Sequence, residues 1–195
     1  MVITLSGYAA YLGQMYSSHP RQVVKPQPLS WIGFGFLTGA GWLIQVAQGG
    51  DEGSWCLGIT ALACLLIGGL SLVKFPWNFD RRSASIAAVG IALFILSIPT
   101  RTLDGWATFS AICVTLADVA FYEPTIKKAL RSPYEESVTN FTFNSIKCVP
   151  ALLALQTFTL ATTIYLFMLT LVNGGFAIFL LYRRCQFAQT GRASR

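Results

Sequence analysis

Residues 148–182 form a run of 35 without a single Asp, Glu, Lys or Arg. As one helix the run would be about 52 Å long at ~1.5 Å per residue, against a bilayer hydrocarbon core of about 30 Å. It must therefore fold back on itself, and the polar stretch Gln156, Thr157, Phe158 and Thr159 is the expected turn. Three more charge-free runs cover residues 26–50, 53–73 and 83–100. The chain is 54% hydrophobic and only 11% charged, where a soluble domain carries roughly 25% charged residues. An ordinary soluble domain is excluded, because too little polar surface is available to face water.

At about 20 apolar residues per helix, a chain of 195 residues holds at most about seven spans. We read them at residues 2–16, 30–47, 54–73, 83–98, 107–121, 138–155 and 160–182. The first is short for a span. It has neither a basic leading region nor a small-residue cleavage site, so it does not read as a removable signal peptide. Twelve of the fourteen basic residues then fall on one side: Arg21 and Lys25, then Lys74, Arg81 and Arg82, then Lys127, Lys128 and Arg131, then Arg183, Arg184, Arg192 and Arg195. The positive-inside rule puts the N-terminus outside and the C-terminus in the cytoplasm. Short loops point to a bacterial inner (plasma) membrane. Trp31, Trp55, Trp77 and Trp106 lie near span ends, where interfacial anchoring is the simplest reading.

The net charge of +6 comes from these flanks, which suit anionic lipid headgroups; no basic patch interleaved with aromatics suggests nucleic acid. Cys56, Cys64, Cys113, Cys148 and Cys185 are scattered, without a CxxC pair, and read as small packing residues. His19 has no Cys or carboxylate at ligand spacing, so no metal site is expected, and no cofactor motif is present. GxSxG, HExxH and P-loop patterns are absent. Glu135 and Glu136 sit beside basic residues in a loop, offsetting their charge, and the chain does not read as an enzyme.

Ionisable side chains inside spans are costly and tend to be functional or paired. Two qualify. Asp118 lies in the fifth span, and Lys147 lies mid-way along the sixth, where Asn140, Asn144 and Lys147 share one helix face at i, i+4 and i+7. The two spans form one hairpin, so an Asp118–Lys147 ion pair is expected, either lining a solute path or holding the hairpin together; Lys147 could also snorkel along its stem. Pro124 and Pro150 each remove an amide donor and permit a kink, as a hinge or as a static bend. Gly35 and Gly39, with Gly33 and Gly41, form a small-residue stripe read as packing within the bundle.

An internal repeat is also visible. The loop 25–30 corresponds to 132–137 at an offset of 107, and Ile67, Gly68, Gly69 correspond to Asn173, Gly174, Gly175 at an offset of 106. The chain then divides into a three-helix unit at residues 1–75, a linker helix within 76–106, and a second three-helix unit with a short basic tail at 107–195. An odd number of helices per unit plus one linker makes the units parallel repeats. Pro124, Thr125, Ile126, Lys127, Lys128, followed by Arg131, Pro133 and Ser137, resembles the PQ-loop motif, with Thr125 in place of the glutamine. Asn173 followed by Gly175 is similar to the pattern of SWEET transporters. The chain thus resembles the PQ-loop and SWEET superfamily, with a degenerate first repeat: Ser17 and Ser18 stand for the Pro-Gln pair and Ile67 for the asparagine.

That resemblance implies an all-α integral membrane protein of seven transmembrane helices in a SWEET-like three plus one plus three arrangement. It also implies movement of a small polar solute, sugar-like or another metabolite, by alternating access. Asn173 would bind solute, with Asp118, Lys147 and Asn144 setting the polarity of the pocket and Pro124 and Pro150 serving as gate or hinge. The rival expectation is a non-transporting receptor or accessory subunit of the same fold. The lipid bilayer and a small-molecule solute are the expected partners; a homo-oligomer or a membrane partner protein is left open.

Overall fold

A computed structural model describes residues 2–18, 23–75, 81–100 and 105–193. His19, Arg21, Trp77, Arg101 and Arg195 lie outside these residues. The described chain is helical, with no strand among its residues. In order, α1 is Val2–Met15, α2 Pro28–Ala47, α3 Asp51–Lys74, α4 Arg81–Thr100, α5 Ala107–Arg131, α6 Val138–Ile146, α7 Cys148–Leu153 and α8 Leu160–Ala193. A 3-10 turn, Pro133–Glu135, joins α5 to α6. Five helices, α2, α3, α4, α5 and α8, are long and apolar enough to cross a membrane. With 14 residues in α1 and only 9 and 6 in α6 and α7, the other segments are shorter than a full span.

The local chemistry explains most boundaries. Pro28 sits in the first turn of α2, where its missing amide costs nothing. Gly49 takes φ +74° in the tight turn between α2 and α3, a conformation suited to glycine. The long apolar run turns back at residues 155–159, between α7 and α8. There the Thr159 and Thr162 hydroxyls cap α8 reciprocally, each accepting from the other's backbone N–H at 3.3 and 3.0 Å. Ser137 caps α6 by accepting from the Asn140 N–H at 3.1 Å.

Three expectations need correction. The span at 138–155 is not one helix: it breaks at Lys147, three residues before Pro150, whose missing amide leaves the Ile146 carbonyl without its helical donor. Helix α5 runs through Pro124 without interruption and continues to Arg131, ten residues past the expected end. Helix α8 extends well past Tyr182, and just beyond that residue it is tied down where Arg183 donates to the Leu130 carbonyl and Arg184 to those of Pro133 and Glu136.

Helices from the two halves of the chain pack crosswise, α1 against α6 and α2 against α5, while α4 rides on α5. The glycine stripe of α2 serves these contacts. A Cβ at Gly33 would run into the Phe121 ring of α5, one at Gly35 into Leu65 of α3, and one at Gly41 into Tyr165 of α8. Apart from Lys147, the basic side chains whose bonds follow gather at one end. Lys74 reaches the Met15 carbonyl at 2.7 Å, Lys25 pairs with Glu135 at 2.6 Å, Lys127 pairs with Glu123 at 3.0 Å, and Lys128 pairs with Glu136. The ends where α3 and α8 begin lie at the opposite pole, with Asp51 and Glu52 in the first turn of α3.

Candidate functional site

At the centre of the bundle, between α1, α2, α3, α5, α6 and α8, lies a cavity of about 30 Å³. Its polar lining includes Asp118, Asn144, Lys147 and Asn173, all four of the residues expected to bind solute, together with Thr38 and Thr60. Aromatic rings of Tyr8, Trp31, Phe34, Tyr122 and Phe141 close the rest. Asn144 and Lys147 reach it from one face of α6 despite the break at 147. Asn140, on the same face, is buried with neither its amide nitrogen nor its oxygen hydrogen-bonded and does not line the cavity.

The expected Asp118–Lys147 ion pair does not form. The Lys147 ammonium instead donates to the Tyr8 hydroxyl at 3.1 Å and to Thr60 Oγ1 at 2.6 Å, and lies 4.7 Å from the Tyr8 ring centroid. These acceptors sit on α1 and α3, so one side chain ties three helices together. Thr60 passes its own proton to the Cys56 carbonyl at 2.6 Å, which leaves its lone pairs free for the ammonium. The lysine is buried among these partners rather than snorkelling to the interface.

Asp118 is treated differently. Its carboxylate is buried, and neither oxygen makes a hydrogen bond of standard geometry. Tyr165 is its polar neighbour, and that hydroxyl is bonded to Thr38 Oγ1 at 3.1 Å. Asn173 donates one of its two amide hydrogens to the Leu169 carbonyl of its own helix at 2.8 Å, which leaves a second N–H and the amide oxygen. The cavity therefore holds a carboxylate with the Tyr165 hydroxyl as its polar neighbour, an ammonium with one donor to spare, and an amide with one N–H and its oxygen left. Buried polar groups ordinarily find partners, so this set is suited to a small molecule that brings donors and acceptors of its own.

Two larger recesses flank the cavity. One, of about 450 Å³, opens beside the starts of α1 and α3 and is lined by Thr4, Glu52, Cys56, Lys147 and Pro150 among others. The other, of about 380 Å³, opens at the basic end and is lined by Gln14, Tyr134, Glu136 and Arg184 among others. Pro150 is thus at a recess wall, and Pro124 is buried within α5.

The tryptophan expectation splits. Trp55 and Trp106 are more than half exposed, at 56% and 53%, as interfacial anchors require. Trp31 is only 1% exposed; it packs against Tyr11 with ring centroids 4.6 Å apart and the planes tilted by 44°, and it lines the cavity. Tyr8 and Thr60 were also missed by sequence reasoning. A usable signal existed for the first, because Thr4, Tyr8, Tyr11 and Met15 recur at i, i+4, i+7 and i+11 and form the buried stripe of α1. All five cysteines are free thiols, and no group of three or more His, Cys, Asp or Glu able to hold a metal ion occurs among the described residues. No protein-family model matches the chain, and neither a curated protein nor a solved structure does.

Proposed function

We propose that the protein is a membrane transporter of a small polar solute that works by alternating access, with the N-terminus outside and the C-terminus in the cytoplasm of a bacterial plasma membrane. The observation that carries this reading is the meeting of Asp118, Asn144, Lys147 and Asn173 in one buried cavity between two larger end recesses. Intramembrane ionisable groups that face a shared cavity mark solute paths more often than lipid contacts. Crosswise packing of α1 on α6 and α2 on α5 is the exchange that two related three-helix units would make, and it supports a repeat with seven crossings in which α1 and the α6–α7 pair are the short ones. The gathering of basic side chains at one end supports the orientation.

At about 30 Å³ the cavity has room for about one water, far below the roughly 300 Å³ or more of a ligand pocket. This conformation therefore has no room for a solute. Binding requires the helices to part, and the break at Lys147 and the proline in α5 are the places where that motion meets least resistance.

The test is thermal unfolding of the purified protein in detergent against sugars, amino acids and other small metabolites, at acidic and neutral pH, with Asn173→Ala in parallel. A solute that binds only the folded state raises stability by about 2.7 kcal/mol at a hundred times its Kd. The expected result is at least one solute whose stabilisation disappears in Asn173→Ala. Silence across the panel would favour a receptor or accessory subunit instead. That second reading draws on the apolar groove of about 480 Å³ between α2, α3 and α4, lined by Gly35, Gly39, Trp42, Gly58 and Leu62 among others, which a neighbouring helix would fill.

A further inference from the structure

The central cavity and the recess at the α1 and α3 starts share one lining residue, Lys147. We infer that Lys147 is the gate between them: its ammonium, bridging Tyr8 of α1 and Thr60 of α3 from the break between α6 and α7, closes the path from the outer recess to the cavity. Three observations converge on this role. The bridge spans the boundary itself, since Tyr8 and Thr60 line the central cavity and Pro150, the cause of the break, lines the recess. The two hydrogen bonds, 3.1 and 2.6 Å, join helices that must separate for anything to pass. And the lysine stands at the junction of α6 and α7, three residues before Pro150, where the missing proline amide makes a bend easiest.

The gate rests on the transport reading for its purpose, but two native thiols allow it to be tested without any solute. Cys56 lines the outer recess and Cys64 the central cavity, two turns apart on α3 and on opposite sides of the bridge. Cys64 lies 3.7 Å from the Tyr8 oxygen, the same oxygen that accepts from Lys147, so it sits directly against the bridge. A shut gate therefore leaves Cys56 reactive and Cys64 protected.

The experiment treats the full-length protein with a small charged methanethiosulfonate reagent and follows each cysteine by mass spectrometry. In the native protein Cys56 and the exposed Cys185 are expected to react, with Cys64 at least tenfold slower than Cys56. Lys147→Ala should raise the Cys64 rate at least tenfold while Cys113, buried elsewhere, stays protected. Tyr8→Phe and Thr60→Val, which keep the lysine and remove one acceptor each, should give intermediate increases. Cys64 reacting as slowly in all three variants as in the native protein would overturn the gate. So would native Cys64 reacting as fast as Cys56, or Cys113 becoming reactive in every variant, which would assign the bridge to holding the fold. A gate that opens on these terms while no solute of the unfolding panel stabilises the protein would leave the inference standing and count against the transport reading; a stabilising solute with Cys64 unreactive throughout would do the reverse.

Discussion

Asp118 and Lys147 sit in the same cavity under opposite conditions. The lysine has two oxygen acceptors and an aromatic face, whereas the aspartate has no donor in hydrogen-bond geometry. A buried charged or polar group without partners is a cost to folding, and replacing it by a neutral isostere relieves that cost. Asp118→Asn is therefore expected to leave the melting temperature unchanged or raise it by about 2–4 °C, the shift of ~1 kcal/mol in a chain of this size, while the stabilisation given by any solute that raises the native protein's melting temperature is lost. A melting temperature several degrees lower, measured by differential scanning fluorimetry in detergent, would make Asp118 a structural residue. Both charges were legible in the sequence because ionisable groups within apolar runs are rare enough to draw notice. The absence of a bond between them was not. Lys147 finds partners 139 and 87 residues away, on hydroxyls that look in sequence like any other Tyr or Thr on an apolar helix. Trp31 misled for the same reason: nearness to a helix end does not tell whether the ring faces lipid or the bundle interior.

Among the elements, α2 is the helix whose placement depends most on missing side chains. Gly33 lets it close on Phe121 of α5, and Gly90 of α4 lies against that same ring, so three helices converge where two of them carry no Cβ. A methyl at Gly33 would overlap the ring, and overpacking of this kind costs about 1–3 kcal/mol. Gly13 of α1 and Gly69 of α3 have nothing within 4 Å of the position a Cβ would take. Alanine there should be neutral or stabilise by roughly 0.5–1 kcal/mol through helix propensity. We expect Gly33→Ala to lower the melting temperature by several degrees, with Gly13→Ala and Gly69→Ala at or above the native value. Equal losses at all three positions would mean that close approach of α2 to α5 is not what Gly33 provides. The stripe itself was readable as spacing, and so was the fold-back at 155–159, which follows from length arithmetic alone. Which helix each glycine faces was not, because a small residue marks a close contact without saying with what. The two prolines show the same limit: the lost amide is visible at both, yet α5 is continuous through Pro124 while the other segment divides before Pro150.

For the molecule as a whole, the basic end of the bundle is tied together by the turn between α5 and α6. Lys128 pairs with Glu136, Lys25 pairs with Glu135, and Arg184 holds the carbonyls of Pro133 and Glu136. Glu136 is the buried member of this group. Burial pushes its carboxyl above the ordinary value of 4.5, against the opposing pull of Lys128 and with a further push from neighbouring Glu135. A carboxyl raised in the folded state holds its proton more tightly there than in the unfolded chain. The stability it contributes is therefore fully present below pH 4.5 and is lost as the pH rises through the folded value. Glu136→Gln keeps the shape of the side chain and fixes it in the neutral form. Its melting temperature should match that of the native protein near about pH 4 and exceed it by a growing margin as the pH rises toward neutrality. Thermal unfolding of the two proteins side by side between about pH 4 and 8 isolates this one group, since every other titration is common to both. A variant that instead falls progressively below the native protein over that range would show that the Lys128 pairing outweighs the cost of burial, and that the basic end is held shut by the ion pair rather than in spite of it.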